Sequence, residues 1–390
     1  MTTPDLSANG AEPFSNRQSH RTASCCAWLP VFMANLSPRA VSRWTAVVLV
    51  CVALLTLNSL THGMRLLMPC VESPTQHCYR GYTSAWSFNT VEETVPPVPP
   101  PPQAEWMSGL PDAANISSLS LPGTHDTMTF SIPDEQLQCQ NHNLTTQLTA
   151  GVRYIDARTR LQGDQLGIYH SYQSTGHTFA EVMTIVFDFL DAHPSEAIVV
   201  RIKEEGPRLG NGTKSFEEAF NALRLDSPDL APRFEKHLYM KPNPQAPLPT
   251  LGEMRGKILI LQEFPATEEY GIRWRSTHIV LEDLWIIPSL PHLEIKWEAI
   301  HRALVRSATE PDTNTALYLS HLSASIGVLP IEAAAGPLDG TVVGMNDRTG
   351  TWLEKQPKAR RGIVIIDFPG QALLDAVIGQ NAPLMQESRR

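Results

Sequence analysis

Short apolar runs that end in polar side chains are the feature that most constrains the fold of residues 105–385. Runs of this length, bounded by turn residues, predict buried strands, and stretches with helical spacing separate several of them. Thr178 and Glu181 predict a capping box at the first of these helices. Strands that alternate with helices predict an α/β barrel of parallel strands. The predicted strands are 116–121, 151–158, 165–170, 197–202, 257–261, 279–281, 316–319 and 362–366, and the predicted helices are 178–190, 215–224 and 289–306.

His125 and Asp126 lie just past the first predicted strand, which Pro122 and Gly123 are expected to end in a turn. Loops at the carboxyl ends of parallel strands converge on one mouth of an α/β barrel. Polar side chains that follow different strands are therefore expected to meet there. The other polar groups at predicted strand ends are Asp156, Arg158, His170, Lys203 and Asp367.

Two histidines with acids nearby, His125 and His170, are typical of general acid-base catalysis. The pKa of a free imidazole is about 6.5, so near neutral pH one ring can accept a proton while another donates one. We interpret His142, His177 and His321, which lie near predicted loop ends, as structural or solvated. The sequence holds no Cys-x-x-Cys pair, no Walker loop and no dinucleotide-binding glycine fingerprint.

Four segments together resemble the catalytic X region of phosphatidylinositol-specific phospholipases C, and they are more similar to the bacterial enzymes than to the calcium-dependent eukaryotic ones. They are 121–126, 151–158, 169–170 and 193–203. The resemblance implies an α/β fold of the distorted TIM-type (β/α) barrel class. It also implies the reaction, in which the inositol 2-hydroxyl attacks the neighbouring phosphate and releases diacylglycerol and a cyclic inositol phosphate.

The resemblance assigns roles to five residues. His125 looks like the general base and His170 like the general acid. Asp367 would pair with His125 and fix its tautomer, and Asp126 would support His170. Arg158 stands where the calcium-dependent relatives have a carboxylate that helps to hold the metal. Because a guanidinium offers fixed charge and paired donors to phosphate oxygens, we predict a site without a metal or a cofactor.

Further residues resemble positions that contact the substrate. Asp156 has a metal-binding counterpart in the calcium-dependent relatives, and Lys203 resembles a position near the inositol ring, with a rim salt bridge as the alternative. Asp283 would accept hydroxyls of the sugar and Trp285 would stack on it, although a buried tryptophan is the alternative. Glu263 stands near the position where the bacterial enzymes have an arginine, and its charge is the opposite one. The identity of the head group therefore stays open.

Three functional interpretations follow. The first is a phosphodiesterase or lyase that cleaves phosphatidylinositol or a glycosylphosphatidylinositol. The second is a metal-dependent glycerophosphodiesterase or a sphingomyelinase D-like lyase, which would need a Glu and Asp pair for magnesium. The third is a non-catalytic module that binds phosphoinositide. The net charge of −9 argues against a nucleic-acid partner, because phosphate contacts need a basic face.

The first 104 residues differ from the rest of the chain in composition. Residues 1–43 are rich in Ser, Thr, Asn and Pro, which predicts a disordered tail. Residues 44–64 contain no charged side chain and are long enough to cross a bilayer, which predicts a transmembrane signal anchor. A cleaved signal peptide is the alternative. The prolines within 65–104 predict a semi-rigid stem that precedes a barrel over 105–385.

Features on both sides of the predicted anchor bear on location and partners. Basic residues flank the span on both sides and give no orientation. Glycosylation acceptors and a pair of cysteines that could form a disulfide, Cys70 and Cys78, predict a single-pass membrane protein with a lumenal or extracellular C-terminal part. Cys139 is then left unpaired, the expected partners are a phospholipid or glycolipid and the membrane, and the oligomeric state stays open. The acceptor triplets begin at Asn115, Asn143 and Asn211.

Overall fold

Ten strands form a single sheet in the computed structural model, which describes residues 86–87, 103–241 and 246–387. The strands are β1 (Ser120–Thr124), β2 (Tyr154–Gln162), β3 (Gln165–His170), β4 (Gln173–Thr178), β5 (Ala197–Glu204), β6 (Lys257–Glu263), β7 (Gly271–Arg273), β8 (Ile279–Glu282), β9 (Leu317–His321) and β10 (Gly362–Ile366). Eight of them pair in parallel in the order β7-β6-β5-β2-β1-β10-β9-β8. Within the described ranges no ladder joins β7 to β8, so the sheet is an α/β half-barrel, consistent with the predicted distorted TIM barrel.

Most of the helices pack against the outer face of this sheet, but Leu251, Met254, Leu384 and Met385 of two short helices pack with the inner core. The helices are α1 (Leu144–Thr149), α2 (Phe179–Ala192), α3 (Phe216–Asn221), α4 (Ala231–His237), α5 (Leu251–Met254), α6 (Leu293–Thr309), α7 (Pro330–Ala335), α8 (Met345–Lys355), α9 (Gln371–Ile378) and α10 (Ala382–Glu387). The predicted capping box is confirmed at α2, where the Thr178 hydroxyl accepts a hydrogen bond from the Glu181 amide at 3.2 Å and the Glu181 carboxylate accepts one from the Thr178 amide at 2.7 Å.

Alternate residues along each parallel strand belong to two different apolar cores. On β6, Ile258 and Ile260 pack with the helices, whereas Leu259 and Leu261 pack inside the barrel. The same alternation puts Leu121, Tyr154, Val199, Leu319 and Ile365 inside the barrel. Because successive side chains of a strand point to opposite faces, the inner set continues every second residue toward the carboxyl end. This alternation positions the candidate site.

The first strand differs from its prediction. Ile116–Ser118 form a 3-10 turn, and β1 begins at Ser120 and runs through Pro122 and Gly123, so the predicted turn at these two residues is wrong. Gly123 is needed for a close approach, because a Cβ atom there would lie 2.7 Å from Cδ1 of Tyr154. The glycine therefore lets β1 pack against β2, and the chain leaves the strand only after Thr124.

The third predicted strand reaches the mouth by a different path from the others. β2 extends beyond its parallel neighbours, and β3 returns antiparallel to it, with Thr159 opposite Ile168. The hairpin therefore brings His170, at the end of β3, back beside the carboxyl ends of the barrel strands.

The predicted tail, anchor and most of the stem lie outside the described residues and stay predictions, as does the Cys70–Cys78 pairing. No helix in the described part of the chain is both long and apolar enough to span a bilayer. Two residues within the predicted stem, Trp86 and Ser87, contact the barrel domain: Ser87 pairs with Pro369, and its hydroxyl accepts a hydrogen bond from Asn346 Nδ2 at 2.9 Å. Cys139 is buried and free.

Candidate active site

Polar side chains from neighbouring strands meet at the carboxyl end of the barrel. His125 and Asp126 follow β1, and Asp367 follows β10 on one side of it. Arg158 projects from β2 on the other side, and His170 ends the β3 hairpin strand. The structure therefore brings together all five residues that the sequence predicts to be catalytic.

His125 has a defined tautomer. Its Nδ1 lies 2.9 Å from Oδ1 of Asp367, whose side chain is buried. A carboxylate at this position favours the tautomer in which Nδ1 carries the proton and donates it. Nε2 then keeps its lone pair and accepts a hydrogen bond from Nη2 of Arg158 at 2.6 Å. His125 is therefore arranged to accept a proton at Nε2.

Burial shifts the pKa of both partners in this pair. It lowers the pKa of His125 well below its ordinary value, and the nearby Arg158 guanidinium lowers it further. Burial also raises the pKa of Asp367 well above its ordinary value, and the charge of Asp126 adds to this. His125 is consequently neutral near pH 7, and the Asp367 carboxyl holds a proton more tightly than an exposed aspartate does.

Asp126 lies between the imidazole rings of His125 and His170. Its Oδ2 is 3.2 Å from Nε2 of His125 and 3.3 Å from Nε2 of His170. Its Oδ1 is 2.9 Å from Nε of Arg158. The residue has a φ of 43°, in the left-handed region that a short polar side chain tolerates, and its amide donates to Asp156 Oδ2 at 3.2 Å. The turn after β1 thus directs one carboxylate at both histidines.

Arg158 is held in place by carboxylates. Its Nε lies 2.9 Å from Asp126 and 3.2 Å from Oδ2 of Asp156. Asp156 also contacts Nη1 of Arg201 at 3.3 Å. Burial alone would raise the pKa of Asp156, but Arg201 and Arg158 outweigh burial and hold that pKa far below its ordinary value. The Asp156 carboxylate is therefore ionised, and its oxygens contact two guanidinium groups.

His170 is oriented by the backbone. Its Nδ1 lies 2.7 Å from the carbonyl oxygen of Leu137, so Nδ1 carries a proton and Nε2 faces Asp126. The ring centroids of His125 and His170 are 6.2 Å apart, and the ring planes are nearly perpendicular at 83°. Two hydrogen bonds of ordinary length can join both rings to a single phosphodiester across such a gap.

The predicted substrate-contacting residues lie around this centre. Lys203 forms an ion pair with Glu205 at 2.6 Å on the rim. Asp283 and Trp285 follow β8 at the same mouth, and Trp285 is 44% exposed. Glu263, which reverses the charge found in the bacterial enzymes, accepts a hydrogen bond from Nε of Arg201 at 2.8 Å.

Sequence reasoning missed three buried polar residues at this mouth, His321, Lys296 and Arg201. The ring of His321 lies 5.7 Å from that of His125, a position that the interpretation of His321 as structural or solvated did not include. Lys296, at the start of α6, is fully buried and contacts Glu282 at 3.0 Å. Strand alternation could have found two of them, because His321 and Arg201 lie two residues beyond the inward-facing Leu319 and Val199.

One set of side chains could place ligand atoms around a cation. In the described residues, ligand atoms of His125, Asp126 and Cys139 lie within 4.8 Å of one another. Burial raises the pKa of the Cys139 thiol well above its ordinary value. The Arg158 guanidinium forms an ion pair with the Asp126 carboxylate. A protonated thiol and an adjacent fixed positive charge both disfavour a divalent ion. The absence of a metal stays a prediction.

The chain is similar in sequence to one protein family and to several bacterial proteins. Residues 119–264 match the family described as phosphatidylinositol-specific phospholipase C, X domain. A 1-phosphatidylinositol phosphodiesterase of Listeria monocytogenes is 29% identical over 296 residues, which cover 71% of this chain and 84% of the relative. Another from Staphylococcus aureus is 24% identical over 290 residues, which cover 68% and 88%.

A solved structure shares the fold. The phosphatidylinositol-specific phospholipase C from Listeria monocytogenes superposes with a TM-score of 0.59 at 27% identity, over 72% of this chain and 99% of that chain. The family match covers β1 to β6 and so includes the strands that carry His125, Arg158 and His170. Residues 119–264 therefore match the X domain of the phosphatidylinositol-specific phospholipases C, and the chain shares the fold of the bacterial enzyme.

Proposed function

We propose that this protein cleaves the phosphodiester of phosphatidylinositol, or of a glycosylated derivative, into diacylglycerol and a cyclic inositol phosphate. The observation that carries the proposal is the pair of imidazoles, His125 and His170, on either side of Asp126 with the Arg158 guanidinium beside them. The similarity to two proteins described as 1-phosphatidylinositol phosphodiesterases supports the same substrate class.

The geometry supports a single displacement at phosphorus. A hydroxyl of the head group gives its proton to Nε2 of His125, and its oxygen forms the new bond to phosphorus. Arg158 leaves its hydrogen bond to His125 and donates to the phosphate oxygens, where negative charge develops. The bond from phosphorus to the diacylglycerol oxygen breaks, and His170, which must enter this step as the imidazolium with a proton on each nitrogen, gives its Nε2 proton to that oxygen. Asp126, beside Nε2, stabilises that positive charge. One proton enters the chain at His125 and one leaves at His170, so the reaction is balanced.

Exposed apolar side chains at the mouth support a lipid substrate. Leu284, Trp285, Ile286 and Ile326 are 39%, 44%, 53% and 60% exposed. Their two loops are joined by backbone hydrogen bonds, in which the Ser325 amide donates to the Trp285 carbonyl at 2.8 Å. A patch of this kind beside a polar centre suits a substrate that combines acyl chains with a charged head group.

The site favours this function over the alternatives. A magnesium-dependent phosphodiesterase needs several carboxylates free to bind the ion, but Asp156 and Asp126 are each in contact with Arg158. A purely binding module has no need of one ring with a free Nε2 and another that can donate from Nε2. The pairing of these two rings therefore supports catalysis.

Phosphorus NMR tests the proposal directly. The full chain in detergent, with EDTA present, is mixed with phosphatidylinositol in micelles, and the spectrum is followed for a cyclic phosphodiester. We expect that signal to grow with EDTA present. A phosphomonoester as the first product, or turnover that requires magnesium or calcium, would favour the metal-dependent alternative instead. No turnover of either phosphatidylinositol or its glycosylated derivatives would reject catalysis of this class.

Membrane anchoring through residues 44–64, with the barrel domain in a lumenal or extracellular compartment, is a further part of the proposal. It is supported by the uncharged span and by the acceptor triplets, of which Asn211 is exposed. Expression in a eukaryotic cell and digestion with an endoglycosidase tests the topology. We expect a mobility shift that disappears in the Asn211→Gln variant, and a chain that never shifts would place the domain on the other side of the membrane.

A further inference from the structure

A third imidazole stands beside the catalytic base. His321 ends β9, is only 1% exposed, and its ring centroid is 5.7 Å from that of His125, with an angle of 81° between the planes. The sheet order places β2, with the His170 hairpin, on one side of β1, and β10 followed by β9 on the other. His170 and His321 therefore approach His125 from opposite sides.

The imidazole of His321 has an unused hydrogen-bonding atom. Its Nδ1 lies 3.4 Å from the hydroxyl of Ser323, but Nε2 is buried and has no hydrogen-bond partner within the described part of the chain. A buried polar atom without a partner destabilises a fold, and such atoms are rare unless a ligand or water meets them. This nitrogen is therefore available to a group that enters the mouth.

The groups that face His321 from the neighbouring elements carry both signs of charge. Arg201 on β5 and Asp156 on β2 act on it from the barrel interior, and Asp283 after β8 and Lys296 on α6 act from the other side. Burial, the largest influence, lowers the pKa of His321 to about 4. The ring is thus neutral near pH 7 and can either donate or accept one hydrogen bond at Nε2.

The direction of the reaction locates the head group relative to this ring, and this step rests on the proposed function. His170 protonates the diacylglycerol oxygen, so the lipid part of the substrate lies on the β2 side. The attacking hydroxyl belongs to the head group and meets His125. The rest of the head group therefore extends toward β10 and β9, where His321 lies.

We propose that Nε2 of His321 hydrogen-bonds a hydroxyl of the polyol head group and so helps to select the substrate. The hydroxyl read by His321 is distinct from the one that His125 deprotonates. A site built to pair a hydroxyl discriminates strongly against a ligand that lacks it, because the protein atom is then left buried and unpaired. His321 acts here as a binding residue and transfers no proton.

Two variants of the full chain separate binding from a structural role. His321→Phe keeps a ring of similar size but removes both nitrogens, whereas His321→Gln keeps a polar atom near the position of Nε2. With phosphatidylinositol in mixed micelles, we expect His321→Phe to raise KM about 10-fold, with kcat changed less, and His321→Gln to restore most of the affinity. His177→Phe, at a half-buried histidine that pairs with Glu181, is the matched control and should leave KM unchanged.

The unfolding temperature supplies the second readout. Because His321→Phe removes an unpaired buried nitrogen, its Tm should equal or exceed that of the wild type even though KM rises. An unchanged KM with His321→Phe, or a lower Tm accompanied by a fall in kcat alone, would overturn the proposal.

Binding of myo-inositol alone distinguishes a failure of this inference from a failure of the proposed function. We expect myo-inositol, at saturating concentration and without any lipid, to raise the Tm of the wild type but not that of His321→Phe. Mannitol, the control polyol, should change the Tm of the two proteins by the same amount. That result would uphold the role of His321 even if the wild type released no cyclic phosphodiester. Equal Tm shifts in the two proteins would reject it even if the wild type were active.

Discussion

The two sides of the barrel mouth differ in what the groups next to the His125 ring contact. On the side of β1, β2 and β3, Arg158 contacts Asp126 and Asp156, and His170 contacts both Asp126 and a backbone carbonyl. On the side of β8, β9 and β10, Nε2 of His321 and Oδ2 of Asp367 are buried with neither a hydrogen bond nor an ion pair given for them in the described residues. Oδ2 of Asp126 also lacks a hydrogen bond, but it lies within ion-pair distance of both His125 and His170.

The difference separates two tasks of one site. Catalytic groups must keep fixed positions and protonation states, and contacts between opposite charges within the protein fix both. Groups that select a ligand must leave hydrogen-bonding capacity for it, at some cost in stability while the site is empty. The paired side therefore suits the phosphodiester and the incompletely paired side suits the head group. If this division holds, variants on the two sides of the mouth should fail in different ways.

Removal of His125 should abolish nearly all of the catalytic activity. We expect His125→Ala to lower kcat about 10⁴-fold, because the hydroxyl loses its general base. The variant also leaves the buried Asp367 carboxyl without its partner, so its Tm is measured alongside turnover to exclude loss of the fold. Turnover of phosphatidylinositol by quantitative phosphorus NMR is the measurement, with His177→Ala as the control. Retention of a tenth of the activity would rule out the role of His125.

Replacement of Arg158 should lower the rate and also move its pH dependence. We expect Arg158→Gln to lower kcat/KM about 10²- to 10³-fold, because charge on the phosphate is no longer stabilised. Burial and Arg158 both lower the pKa of His125, so loss of this positive charge should raise that pKa. The acidic limb of the kcat/KM profile, where His125 becomes protonated, should therefore move to higher pH.

Arg158→Lys sharpens that measurement. It keeps the positive charge but loses the paired donors, so the acidic limb should stay near its wild-type position while the rate still falls. A limb that stays at its wild-type pH in both variants would show that burial alone sets the pKa of His125.

The buried ion pair on the other side should contribute to stability and not to chemistry. Lys296 is fully buried against Glu282, so Lys296→Met leaves a mostly buried carboxylate without its partner. We expect the free energy of unfolding to fall by about 3 kcal/mol, and the double variant Lys296→Met, Glu282→Leu to recover much of this loss. Urea unfolding measures both. The exposed pair of Arg306 and Glu310 is the control, and Arg306→Met should cost less than about 1 kcal/mol.

His321 should make stability depend on pH. In the unfolded chain its pKa is about 6.5, and in the folded protein burial lowers that pKa to about 4. The unfolded state therefore binds a proton that the folded state excludes, and stability falls as the pH drops from about 6.5 toward about 4. We expect this residue to contribute about 1–3 kcal/mol to that loss. His321→Phe should flatten the curve in this window, and an unchanged curve would contradict the burial of a neutral ring.

Local sequence patterns predicted much of the fold and of the catalytic centre. The capping box of Thr178 and Glu181 and most strands lie where their patterns indicated, because short-range chemistry decides both. Gly123 shows where such patterns fail. A Pro-Gly pair ordinarily predicts a turn, but here the approach of Tyr154, thirty-one positions later, selects an extended glycine. Only a contact between distant residues distinguishes the two outcomes.

The sequence alone determined the chemical types at the mouth and their strand parity: two imidazoles, a guanidinium and carboxylates, each just beyond an apolar run. The tertiary structure decided which of these groups touch. The hairpin of β2 and β3 turned His170 toward Asp126, and the pairing of β5 with β6 gave Glu263 its partner in Arg201. The placement of β9 near β1 put the uncharged ring of His321 beside His125. Strand order and register are set by packing over the whole barrel, so no short segment of sequence carries them.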